Sequence, residues 1–157
     1  MYKRILVPLD GSKLAECALP YVEELAKGCD TENVILVSVT ERVQGYRVFD
    51  DSSQLGGQRL ILEAVGKKQK QAQRYLDRIA KAMKTKGVNV DTEVLLGDPA
   101  EEIVSYTKHP GCDIIVMSSH GRSGPSRWAY GSVADKVFRA SCVPILMVRA
   151  PGCVPGI

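Results

Sequence analysis

"DIIVMSSHGRSGPSRWAYGSVADKV", residues 113 to 137, decides how the chain is read. It opens on an unbroken apolar run and passes through three glycines, five serines and two arginines. It ends where Val133, Ala134, Val137 and Phe138 recur at helical spacing. A continuous branched-apolar run, then turn residues, then a 3.6-period stripe predicts a strand, a loop and a helix beginning near Ser132. The apolar run shows no polar alternation, so its strand is covered on both faces, as parallel strands are.

Four more runs stand outward of this one: "RILVPL" (4–9), "NVILVSV" (33–39), "VNVDTEVLL" (88–96) and "PILMVR" (144–149). Only 88–96 alternates, placing Val88, Val90, Thr92 and Val94 on one side, the mark of a strand near a sheet edge. Helical periodicity fills the intervals. Residues 12–27 carry an apolar face from Ala15 to Ala26 with Ser12 as N-cap. Residues 60–86 carry another, from Ile61 to Met83, closed by Gly87. "DPAEEIVSYTKHPG" places Pro99 in a first turn, with acidic residues at the positive end of the dipole. Strands alternating with helices predict an α/β fold: an open five-stranded parallel sheet in a single domain, helices on both faces, with right-handed crossovers. Residues 41–59 read as a long polar loop, and "APGCVPGI" (150–157) as a C-terminal tail.

The bulk composition excludes several classes. A net charge of +3 with aromatics at 6% and no basic-aromatic interleaving argues against nucleic acid as a partner. The cluster Lys67, Lys68, Lys70 and Arg74 reads as a solvated helix face. Five cysteines without a C-x-x-C pair, and only two histidines, match neither a disulfide framework nor a zinc site. The N-terminal "MYKRILVPLD" has no secretory pattern and no run is long enough to span a bilayer, so no membrane role and a cytoplasmic location are expected.

Ligands of doubly wound sheets bind beyond the carboxyl ends of the strands, where strand order reverses. "PLDGS" (8–12), "VTE" (39–41) and "MSSHGRSG" (117–124) leave strands at that end, and they converge if the first and fourth strands are neighbours. Ser132 and Asp135 fit a capping box, which puts helix amides and the positive dipole end into the same crevice. Gly121, Gly124 and Gly131 permit close backbone approach or positive φ, and Arg122 and Arg127 add phosphate-binding charge. At this level an anion cradle and a purely structural turn remain equally open. The phosphate loop G-x-x-x-x-G-K-[ST], the dinucleotide fingerprint and the G-x-S-x-G elbow are all absent, and His120 reads as a loop hydrogen-bonder.

"YKRILVPLDGS", "GDPAEEIV" and "DIIVMSSHGRSG…RWAYGSVADKV…VPILMVR" resemble, in their order, the universal stress protein family along residues 2 to 149. The resemblance implies a Rossmann-like domain over 1–149. Its ATP-binding branch carries G-x2-G-x9-G-[ST], and this chain reads Ser118-x2-Gly121-x9-Gly131-Ser132, with serine for the first glycine. If that position needed positive φ, serine would cost about 1–2 kcal/mol; if it needs only a small residue, serine fits, and the surviving spacing favours this second case.

Carried to matching positions, the resemblance implies that Pro8 and Asp10 line the adenosine end and that backbone groups at Val39 read the adenine. Met117, Ser118, His120, Gly121, Arg122, Ser123 and Gly124 would hold ribose and phosphates. Gly131, Ser132 and Val133 would close on the phosphates. ATP or another adenine nucleotide is the implied ligand, with Mg2+ carried on its phosphates rather than in a protein cage. A homodimer through the last strand is implied as well. No residue of the sequence stands out as a general base or as a group that positions water, so at most slow ATP hydrolysis is expected. Two rival readings are a dimeric interaction module without nucleotide and an ATP-dependent ligase of the same superfamily; for the ligase, "PLDGS" lacks the S-G-G-x-D-S loop.

Overall fold

The structure, a computed structural model, describes residues 1–41, 54–121 and 130–151. The five apolar runs form β1 (Arg4–Pro8), β2 (Asn33–Thr40), β3 (Val90–Leu96), β4 (Ile114–Ser118) and β5 (Ile145–Val148), all parallel, in the order β3-β2-β1-β4-β5. The alternating run is the edge strand β3, and β1 and β4 are neighbours, as the convergence of the three strand-end loops requires.

Side chains alternate across the pleat, so each strand feeds two cores. Ile5, Val7, Val34 and Leu36 point to one face, where Val22, Leu76, Ile79 and Met83 cover them. Leu6, Ile35, Val37 and Ile115 point to the other, against Ile103, Tyr106, Ala134 and Val137. The first face is covered by α1 (Lys13–Glu16), α2 (Leu19–Gly28) and α3 (Gln54–Thr85), the second by α4 (Pro99–Tyr106) and α5 (Ser132–Ala140).

Four local expectations are corrected. The helix expected over 12–27 is two helices; Ser12 does cap the first, accepting from Ala15 N at 3.1 Å. Pro20 explains the break, because it has no N–H to give the carbonyl of Glu16 four residues back. The third helix starts at Gln54, so 54–59 is helix rather than loop, and residues 42–53 of that stretch lie outside the described residues.

The capping box at Ser132 does not form. Gly131 is the N-cap of α5, its carbonyl accepting from Asp135 N at 2.9 Å, while the Asp135 carboxylate turns to Arg139 Nε at 3.0 Å. Phe138 does not join the buried stripe. It is 57% exposed and stacks on Tyr130, while Ala134 and Val137 are buried in the core from this helix and Val133 packs against that core.

Gly87, with φ 83°, ends α3 as expected, and Asp98 caps α4 through Ala100 N and Glu101 N. A π-helical turn, Thr107–Gly111, follows α4. The first residue of the stretch read as a tail, Ala150, is buried; residues 152–157 lie outside the described residues. Cys17, Cys29, Cys112 and Cys142 are free thiols, and burial beside the Asp113 carboxylate pushes Cys112 up to about 11. No helix among the described residues is long and apolar enough to cross a membrane.

Leu76 is fully buried where α3 meets the sheet. Leu76→Ala should cost about 2–5 kcal/mol by urea denaturation, through lost transfer energy and the cavity left behind.

Candidate functional site

β1 leads into helices on one face of the sheet and β4 leads into α5 on the other, so the chain reverses its winding between them. A crevice opens at such a point. Here it is a cleft of about 740 Å3 at the carboxyl ends of the strands. Pro8 and Asp10 from the end of β1, Val39 from β2, and Met117, Ser118, His120 and Gly121 from β4 all line it. Gly131, Ser132 and Val133, where α5 begins, line it too. The structure therefore brings ten of the residues singled out from sequence into one cavity. Arg122, Ser123, Gly124 and Arg127 lie outside the described residues.

The glycine positions now have physical reasons. Gly11 has φ 85° and makes the turn that lets Asp10 Oδ1 accept from Ser12 N at 2.9 Å. Neither Gly121 nor Gly131 needs positive φ; both are places of close approach. A Cβ on Gly121 would run into the Asp10 carboxylate, whose Cγ lies 3.2 Å from it. A Cβ on Gly131 would lie 3.4 Å from Ser119 O and 3.6 Å from His120 Cα. Ser118 stands in β4 without positive φ, so serine carries no backbone strain there. Its Oγ accepts from His120 N at 3.4 Å and lies 3.5 Å from Cys17 Sγ.

Ser119 fixes the mouth of the cleft. Its N–H donates to Val148 O at 2.7 Å, its carbonyl accepts from Gly131 N at 2.7 Å, and its Oγ accepts from Ala150 N at 3.1 Å. The same Oγ shares a hydrogen bond of 3.0 Å with His120 Nδ1, on a ring only 2% exposed. His120 is thus an internal hydrogen-bonder, as read from sequence. The first amides of α5, held at this mouth, carry the positive end of the helix dipole. Among the described residues no cluster of His, Cys, Asp and Glu is arranged to hold a metal ion.

One wall was missed from sequence. Lys68, Gln71, Ala72 and Tyr75 of α3 line the cleft, so Lys68 belongs to the cavity as well as to the solvated face assigned to it. The signal was present as an i, i+3, i+4, i+7 stripe, but the surrounding lysines disguised it. Arg78 covers the Tyr75 ring, its Cζ 5.5 Å from the centroid. Burial, reinforced by the neighbouring Glu16 carboxylate, raises the Tyr75 phenol well above its usual range and keeps it protonated.

Fold and cleft together define a doubly wound α/β protein with a binding crevice at its switch point. The sequence profile of the universal stress protein family matches residues 1–149, and the chain belongs to that family. Universal stress protein MJ0531 of Methanocaldococcus jannaschii is 32% identical over 96% of this chain and 84% of its own length. Universal stress protein YxiE of Bacillus subtilis is 33% identical over 95% of this chain and all of its own length. The solved structure of MJ0577, also from M. jannaschii, superposes with a TM-score of 0.80 at 32% identity, covering 97% of this chain and 99% of that one.

The contact between Gly121 and Asp10 is open to a direct test. Gly121→Ala should displace the Asp10 carboxylate from its turn and lower stability by about 1–2 kcal/mol. In an Asp10→Ala background the same change should cost far less, and a double-mutant cycle by chemical denaturation reads that coupling.

Proposed function

We propose that this universal stress protein binds ATP, with Mg2+ on its phosphates, and acts as a nucleotide-responsive binding module in the stress response. The observation that carries this reading is the convergence of the strand-end residues and the α5 N-terminus on one cleft, polar at its α5 end and apolar along Val37, Val39 and Met117. A nucleoside needs apolar walls and a phosphate needs backbone donors, and this cavity offers each. Two neighbours support the class of ligand. A universal stress protein in complex with cAMP shares the fold at a TM-score of 0.59 and 19% identity. So does an Arabidopsis thaliana family protein with AMP bound, at 0.60 and 14%.

In this reading Pro8 and Asp10 hold the adenosine end and the Val39 backbone meets the base. The stretch 117–124, including Arg122, Ser123 and Gly124, surrounds ribose and phosphates. Gly131, Ser132 and Val133 present amides to the phosphates, and Ser118 supplies a small polar floor where relatives of the ATP-binding branch have glycine. Hydrolysis is at most slow in this reading, because Asp10 is engaged with Ser12 N and His120 with Ser119 Oγ, which leaves neither dedicated to an attacking water. The protein acts by changing shape or contacts when the nucleotide is bound. A homodimer through β5 belongs to the same proposal: this edge strand leaves Ile145, Leu146 and Met147 half-buried, and open edges of this kind are usually paired.

Titration of nucleotide-stripped protein with ATP and Mg2+ should give micromolar binding at one site per chain. Gly131→Val should abolish it while thermal unfolding stays cooperative, since the branched side chain occupies the approach to the α5 amides. Heatless titration of the wild-type protein would mean that Gly121 and Gly131 serve only the packing at the mouth of the cleft. Sedimentation should show twice the 17.1 kDa of the chain, and a monomer at micromolar concentration would sink the dimer.

A further inference from the structure

The two ends of the cleft call for different ligand chemistry. One end is the start of α5, with backbone donors suited to an anion. The other is where α3, packed on β2, brings Lys68, Gln71 and Ala72 to the same cavity as Val39, Thr40 and Glu41. Helix length explains how α3 gets there. At about 1.5 Å per residue its 32 residues span about 48 Å, against about 26 Å for the eight residues of β2 at about 3.3 Å each. The buried residues Leu76, Ile79, Ala80 and Met83 anchor the carboxyl half on the sheet. The helix runs antiparallel to the strands it connects, so the part of it before Leu76 reaches their carboxyl ends, and Lys68, Gln71, Ala72 and Tyr75 from that part wall the cleft.

The polar side chains at this end differ in what they can still offer. Thr40 Oγ1 already donates to Leu95 O at 3.2 Å. Lys68 carries donors only and Glu41 acceptors only. Gln73, two residues on, is committed, its Nε2 donating to Asp77 Oδ1 at 2.7 Å and Thr92 Oγ1 at 2.8 Å. Gln71 lines the cavity, and its carboxamide makes no hydrogen bond among the described residues. Ser38 also lines this end with a hydroxyl, but a single oxygen cannot donate and accept side by side; Gln71 is the carboxamide at this end among those residues, with a donor and an acceptor on adjacent atoms. Ala72 beside it leaves room for a flat group to approach.

We propose that Gln71 is the residue that selects the nucleobase, a reading that rests on the nucleotide function proposed above. A carboxamide pairs with an edge that presents an amino donor next to a ring-nitrogen acceptor. Adenine has that edge. The edge that discriminates is N6/N7: there guanine and hypoxanthine set two acceptors, O6 and N7, side by side, so the amide oxygen would face another acceptor, whereas at the N1 edge a carboxamide turned over would pair with any of the three bases. Discrimination by side chain then adds to contact with the β2 backbone, and the base selected is adenine.

The test is calorimetric titration of wild-type, Gln71→Leu and Gln71→Glu proteins with ATP, ITP and GTP, each with Mg2+. Wild-type protein should prefer ATP over ITP and GTP. Both variants should bind ATP roughly tenfold more weakly while ITP and GTP change little, so that the preference collapses. Leucine removes donor and acceptor; glutamate keeps the length and an acceptor but loses the donor. Position 71 is exposed, and unaltered thermal unfolding verifies that both variants fold. Unchanged ATP affinity, or an equal loss for all three nucleotides, overturns the role of Gln71 and leaves nucleotide binding standing. Wild-type protein that takes up none of them overturns both.

Discussion

Parallel pairing of β1 with β4 is the constraint on which the rest of the molecule depends. The pair is clamped at its amino end by Asp113, whose Oδ2 accepts from Lys3 N at 2.7 Å and Arg4 N at 2.8 Å while its own N–H donates to Arg4 O. The ladder joins Ile5 to Ile114 and Leu6 to Ile115 and is not continued toward the carboxyl ends. Pro8, which has no N–H to contribute, stands there opposite Met117 and Ser118, and all three line the cleft. A pair closed at one end and open at the other, with its following helices on opposite faces, creates a cavity without sacrificing core.

Ser119 turns that opening into a defined mouth. One residue joins the ends of β4 and β5 and the N-cap of α5, using its N–H, carbonyl and hydroxyl. Ser119 and His120 are almost wholly buried, so each polar group lost there would leave a partner unsatisfied in a low-dielectric setting. Positioning of the α5 amides therefore comes from backbone hydrogen bonds at the strand ends. A Ser132 side-chain cap takes no part in it. The stretch of Gly and Ser that follows β4 serves this geometry directly: a serine whose backbone and hydroxyl together join three elements, and glycines where a side chain at Gly121 or a backbone at Gly131 comes close.

Sequence reading gathered residues that do line one cleft where their placement follows local chain geometry. Strand-end residues such as Pro8, Asp10 and Met117 were found because a switch point gathers such ends, and the motif spacing located Gly121, Gly131 and Ser132. It failed where two faces of one helix carry different duties. Lys68 and Gln71 sit among charged neighbours on α3, and their inward turn depends on how far that helix extends past the sheet. The capping box failed for a similar reason. A local pattern was present, but Asp135 found a better partner in Arg139, four residues on, leaving the cap to the Gly131 carbonyl.

The order of elements and the division into two-faced strands were determined by sequence alone, because hydrophobic period is a local property of the chain. The turn at Asp10–Gly11 and the end of α3 at Gly87 were local too, being fixed by the conformations that glycine alone adopts cheaply. Tertiary structure decided what depends on residues far apart in the chain. The meeting of Asp10 with Gly121 and the knot at Ser119 leave no periodic trace, and the stripe of the α3 wall does not say which cavity it faces, since each joins segments whose separation only the packed sheet removes. The strand order that the winding of the chain suggested became a cleft of definite size because the Asp113 clamp holds β1 and β4 together at one end only.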